Sequence, residues 1–100
     1  MAAALIAVAG AVAGPALAAS DDAWEAFRAD VSTKCLAAAE PLFETAEATV
    51  DPFGSASYGL ALVTGPAKGA TETTISAICV YDKQAKTVEI GGELPTAEAE

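Results

Sequence analysis

Two cysteines, Cys35 and Cys79, constrain this chain more than any other feature, because they follow a leader typical of exported proteins. Exported chains reach oxidising compartments, where paired thiols form stable disulfides. The sequence therefore predicts a structural disulfide, which closes a loop of about 45 residues and stabilises the fold by roughly 4 kcal/mol. Free thiols or a redox pair are the alternative, and the spacing disfavours them because no C-x-x-C motif occurs.

Residues 1–18 are the predicted signal peptide. An apolar, alanine-rich run is followed by Gly14-Pro15 and then by small residues up to Ala18. The run is shorter than the roughly 20 apolar residues that span a bilayer, and it matches the length of a signal core. We expect cleavage after Ala18, with Ala19 as the alternative site, and a periplasmic or extracellular location. A retained membrane anchor is the competing interpretation.

The charge of the chain limits its partners. All 14 acidic and 5 basic residues follow Ser20, so the exported part keeps the net charge of −9. Such a chain repels phosphate backbones and anionic lipid surfaces. We therefore expect no nucleic-acid binding and no stable membrane insertion after signal cleavage, while a basic partner is electrostatically favoured.

An amphipathic helix is predicted directly after the signal peptide. Asp22 and Glu25 form a capping-box-like pair, and the residue before Pro41 is disfavoured in a helix, which ends it at Glu40. An apolar stripe recurs at steps of three and four residues and should face the core. Its members are Trp24, Phe27, Val31, Cys35 and Ala38. A ligand platform at Trp24 and Phe27 is the less favoured alternative.

The rest of the chain has the alternating pattern of short strands. The predicted strands cover residues 46–50, 57–64, 71–81 and 87–90. Asp-Pro-Phe-Gly at 51–54 predicts a type I turn, residues 65–70 a loop, and residues 82–86 a further turn. The prediction is one domain over residues 19–94, followed by a disordered acidic tail over residues 95–100.

These elements predict an α+β fold in which one N-terminal helix packs on a four-stranded antiparallel meander sheet. Short connections favour antiparallel neighbours. The disulfide would tie the helix to the third strand, so the Cys79 side of that strand should face the helix. Ile75, Ala77 and Tyr81 share that side, because side chains alternate along a strand.

The opposite face of the predicted sheet is unusually apolar for a solvated surface. Ile78 and Val80 lie there, and the second strand is apolar on both of its sides. One helix covers only one face, so this face is curled on itself, covered by the connection at Leu42 and Phe43, or bound to a second copy or a partner protein. Ile78, Val80 and the nearby loop residue Lys68 are the candidate partner face.

The sequence offers little catalytic chemistry. It contains no histidine, which excludes His-dependent nucleophilic catalysis and His-ligated zinc, and it has no G-x-S-x-G motif. Acidic residues near strand ends could form a carboxylate pair, but proximity is expected by chance in so acidic a chain. The loop at 65–69 lacks the spacing of a phosphate-binding loop. We therefore predict no catalytic, cofactor-binding or metal-binding residues, and no enzyme.

The function that remains by elimination is that of a small exported acidic binding or accessory protein. An inhibitor of a basic secreted enzyme such as a lysozyme and a structural envelope subunit are the alternatives. The runs at residues 50–65 and at CVYDK…VEIGGEL resemble those of small exported bacterial proteins, and this resemblance implies no activity.

Overall fold

The computed structural model describes residues 20–95, which form one helix packed on an antiparallel sheet. The elements are α1 (Asp21–Ala39), β1 (Glu47–Val50), β2 (Tyr58–Ala67), β3 (Ala70–Asp82), β4 (Val88–Ile90) and β5 (Leu94–Pro95). The strand order is β1-β2-β3-β4, and β5 pairs with β3. The predicted α+β fold with its four-stranded meander is confirmed, and β5 is an addition to it.

The ends of the chain lie outside this description. The predicted signal peptide, residues 1–18, belongs to the part that is not described, as do residues 96–100 of the predicted tail. Pro95, the first residue of that predicted tail, pairs with Ile75 in β5.

Helix α1 begins at a different cap from the predicted one. The side chain of Ser20 accepts a hydrogen bond from the Ala23 amide at 3.1 Å, so Ser20 is the N-cap and the prediction of Asp22 is wrong. Serine caps a helix as well as aspartate does, and the earlier position leaves Asp21 and Asp22 in the first turn, where the helix dipole favours acids. The helix ends at Ala39, just before Glu40-Pro41, as the proline predicts.

The core lies between α1 and one face of the sheet. Val31, Cys35 and Ala39 are the buried residues of the helix, each fully enclosed. They pack against the inner positions of the central strands, which include Ala61, Val63, Ala77, Cys79 and Tyr81. A disulfide joins Cys35 to Cys79 with their Cα atoms 5.9 Å apart. The predicted disulfide and the predicted helix-facing side of β3 are both confirmed.

The β2–β3 hairpin is longer than the sequence suggests. A loop was predicted over residues 65–70, but β2 continues to Ala67 and only Lys68 and Gly69 form the turn. The connection after α1 completes the pairing at this end, where Phe43 bridges Ala67 and the Glu44 amide donates to the Pro66 carbonyl. These tertiary contacts hold a Gly-Pro segment in the extended conformation.

The turn at residues 51–54 closes one end of the molecule. The Oδ1 atom of Asp51 accepts from the Phe53 and Gly54 amides, as expected for an Asp that opens a turn. Trp24 makes edge-to-face contacts with both Phe27 and Phe53. The Lys83 ammonium lies 5.4 Å from the Trp24 ring centroid. Phe27 packs against the core cluster, while Trp24 is half-buried in contact with Phe27 and Phe53.

Candidate functional site

The face of the sheet that points away from α1, called the outer face below, has an apolar centre. Two cross-strand pairs form it, Leu62 with Ile78 and Leu60 with Val80. Leu62 is 43% exposed and Ile78 is 48% exposed, although both lie in the two central strands. This exposed aliphatic pair makes the centre of the outer face a candidate interaction surface.

Two of the three residues predicted for the partner face lie together there. Ile78 and Val80 occupy neighbouring outer positions of β3. Lys68 lies in the β2–β3 turn, at roughly 20 Å along the strand from Leu62. The hairpin is extended because β2 continues through residues 65–67, so Lys68 is not adjacent to the apolar centre.

The connection after α1 does not cover the outer face, contrary to one of the sequence alternatives. Phe43 is buried in the core cluster that contains Val31 and Cys35, and Leu42 packs against the same cluster. Its bridge to Ala67 keeps Phe43 on the helix side. The segment anchors the hairpin to the core and leaves Leu62 and Ile78 exposed.

Two shallow grooves run along the outer face. The first, with a volume of about 440 Å³, is almost entirely apolar and lies between the apolar centre and the end of β1. Its lining includes Leu60, Leu62, Ile78, Pro52 and Asp51. The second, of about 320 Å³, is lined by Tyr58, Val80, Asp82, Thr87 and Glu89. Leu60 and Val80, which are paired, stand between the two grooves.

Acidic residues lie along both edges of the apolar centre. The Asp51 amide donates to the Leu60 carbonyl, and Leu60 pairs with Val80. Val80 in turn pairs with Glu89. One row across the sheet therefore has two apolar residues at its centre and an acidic residue at each end. Glu47 lies further along the same edge of the sheet, where it pairs with Thr64 of β2. These residues were not predicted as part of the face, because cross-strand register is needed to bring them together.

Among residues 20–95, no ion pair neutralises these acids on the outer face. The chain has five Lys and Arg residues, and all of them lie within the described part of the chain. Arg28 and Lys34 are on α1, Lys68 is in the β2–β3 turn, and Lys83 and Lys86 follow β3. Lys83 points toward the helix, since its ammonium also lies 5.1 Å from the Phe27 ring centroid. The two faces of the molecule are therefore electrostatically different.

The best-formed polar cluster lies on the other side, between α1 and β3. The Tyr81 hydroxyl donates to Asp30, and Lys34 forms an ion pair with the same carboxylate at 3.1 Å. Hydrogen bonds from Tyr81 and Lys34 lower the pKa of Asp30. Burial, followed by the hydrogen bond to Asp30, raises the pKa of Tyr81 to about 12. The cluster joins helix to sheet and has a structural role.

Two further features are not found in the described residues. Over residues 20–95, no three His, Cys, Asp or Glu side chains come together as a metal-binding group. Within the same range, no helix is both long enough and apolar enough to cross a membrane.

Comparisons with protein-family models, with curated proteins and with solved structures found no match to this chain. The candidate site therefore depends on the geometry and charge of the outer face alone.

Proposed function

We propose that this protein is an exported, non-enzymatic binding or accessory protein that acts in the periplasm or outside the cell. It binds its partner through the outer face of the sheet. The observation that carries the proposal is the exposure of Leu62 and Ile78 at the middle of the sheet, beside an apolar groove.

The construction of the fold supports this role. The disulfide and α1 hold one face of the sheet rigidly, so the opposite face is presented as a preformed surface. A preformed surface binds with less loss of conformational entropy than a flexible one. Export is supported by the signal peptide that the sequence predicts at residues 1–18 and by the Cys35–Cys79 disulfide, which is typical of oxidising compartments.

The experiment is affinity capture from envelope extract with three baits, namely the wild type and two matched variants. The test variant, Leu62→Thr with Ile78→Thr, removes the apolar centre while keeping β-branched or strand-compatible side chains. The control variant, Ala29→Ser with Thr33→Ser, changes two exposed positions of α1. We expect one protein that the wild type and the control retain and that the test variant loses.

Folding is checked before capture by the thermal midpoint of each variant. Because all four positions are exposed, both variants should unfold within a few degrees of the wild type. Retention of the same proteins by all three folded baits would contradict the proposal, since the outer face would then contribute nothing to binding.

A further inference from the structure

We propose that the partner of the outer face is a cationic amphipathic polypeptide segment. An aliphatic side chain of this segment occupies the first groove, and a Lys or Arg occupies the second. This inference rests on the proposed function, because it names the class of partner for the same surface.

The apolar half of the site is the groove at Leu60, Leu62 and Ile78. Its lining is almost entirely apolar, and Pro52 forms one wall. The volume of about 440 Å³ accommodates a large aliphatic or aromatic side chain. Filling it would remove the exposed surface of Leu62 and Ile78 from water, and removal of apolar surface from water drives most protein association.

The cationic half of the site is the groove at Tyr58, Asp82 and Glu89. Asp82 is held in place because its Oδ1 accepts from the Gln84 and Ala85 amides. Tyr58 is 46% exposed and pairs across the strands with Asp82. Two carboxylates beside an aromatic ring suit a Lys or Arg side chain, which gains charge–charge and cation–π attraction together.

The spacing of the two grooves fits one continuous segment. Ile78 and Asp82 lie on the same side of β3 and are roughly 13 Å apart along the strand. About four residues of extended chain or about nine residues of helix cover that distance. A single segment with apolar residues followed by a cation can therefore reach both grooves.

Charge argues against a second copy of the chain as the partner. Pairing two outer faces would bring Glu47, Asp51 and Glu89 of each copy to one interface, and no ion pair within residues 20–95 neutralises these acids. Each copy also carries a net charge of −9, which adds long-range repulsion. The same acids attract a basic partner and raise its association rate.

The test uses a synthetic amphipathic peptide of Leu and Lys, with a counterpart in which every Lys is replaced by Glu. Binding to the purified protein is measured by calorimetry at low and at physiological ionic strength. We expect the Leu/Lys peptide to bind, with weaker binding in higher salt, and the Leu/Glu peptide to show at least tenfold weaker binding, roughly the effect of 1.4 kcal/mol. Equal binding of the two peptides would overturn the inference.

Matched charge variants locate the binding. Glu47→Gln with Glu89→Gln removes two acids from the outer face, while Glu25→Gln with Glu40→Gln removes two exposed acids from the helix side. The net charge changes equally in both. We expect the first pair to weaken Leu/Lys peptide binding by roughly fivefold to tenfold and the second to have little effect. Equal weakening by both pairs would mean non-specific attraction and would contradict the inference.

Failure of the inference and failure of the proposed function give different results. Suppose that Leu62→Thr with Ile78→Thr abolishes capture of a partner, but Glu47→Gln with Glu89→Gln still captures it. The outer face is then the binding surface, and the inference of a cationic partner is wrong. If the charge variant weakens binding and the apolar variant does not, the apolar centre is not the binding site and both proposals are wrong.

Discussion

At the scale of single residues, Gly65 marks a close approach of two stretches of backbone. It lies on the inner side of β2, beneath the segment that connects α1 to β1. A Cβ atom at this position would overlap the carbonyl oxygen of Thr45 and crowd the Ala46 Cα at 3.2 Å. Backbone atoms cannot move aside as a flexible side chain can, so the position requires glycine.

We predict that Gly65→Ala lowers the free energy of unfolding by roughly 2–3 kcal/mol, because the connection at residues 44–46 must move away from β2. Gly92→Ala is the matched control, since nothing lies within 4 Å of a Cβ there. It should change stability by less than about 0.5 kcal/mol. Urea denaturation of both variants measures this, and equal stability of the two would contradict the described packing.

Tyr81 gives a pH dependence whose direction follows from its raised pKa. The phenol has an ordinary pKa of about 10 in the unfolded chain and of about 12 in the folded protein. Between these values it ionises only when the chain unfolds, so the unfolded state binds fewer protons and stability falls as pH rises. Below about pH 10 the stabilisation is fully present.

The measurement is the urea midpoint as a function of pH from about 9 to 12. The wild type should lose stability through this range, and Tyr81→Phe should lose less, because it lacks the buried hydroxyl that donates to Asp30. Tyr58→Phe, which changes an exposed phenol, is the control and should follow the wild type. Identical profiles for all three proteins would be inconsistent with the Tyr81–Asp30 contact.

At the scale of elements, the disulfide is the covalent link between helix and sheet. Cys35 and Cys79 are both fully buried, so the bond lies inside the core. The bond fixes the position of α1 relative to β3. The side of β3 that carries Cys79 therefore faces the helix, and the opposite side belongs to the outer face. Closure of this loop restricts the unfolded chain and accounts for about 4 kcal/mol in the chain-entropy model.

We therefore predict that Cys35→Ala with Cys79→Ala lowers the free energy of unfolding by roughly 4 kcal/mol, with some added loss from the two small cavities. Reduction of the wild type under mild denaturant should have a similar effect. The thermal midpoint under each condition measures it. An unchanged midpoint would show that the bond does not constrain the fold.

The sequence predicted the elements better than their ends. The apolar stripe of α1 and the alternation in β3 were readable because each reflects burial of one side of one element. Ser20 was not predicted as the N-cap, because Asp22 and Glu25 also have the spacing of a capping box. The extension of β2 and the presence of β5 depend on pairing with distant residues, namely Phe43 with Ala67 and Leu94 with Ser76. No local pattern specifies such pairs.

At the scale of the whole molecule, the important property is the difference between its two faces. One face of the sheet is covered by α1 and carries the buried disulfide, while the other combines exposed aliphatic residues with acidic edges. Alternation alone placed Ile78 and Val80 on the second face. That Asp51 and Glu89 lie beside these residues follows only from the cross-strand register, in which Leu60 pairs with Val80 and Val80 pairs with Glu89.

We propose that a partner binds to the outer face and not to the helix side. Amide NMR of the isotope-labelled protein, titrated with the Leu/Lys peptide, tests it directly. We predict shifts that concentrate at Leu60, Leu62, Ile78 and Glu89 and leave the exposed side of α1 unchanged. Shifts centred on α1, with the outer face unaffected, would contradict the account.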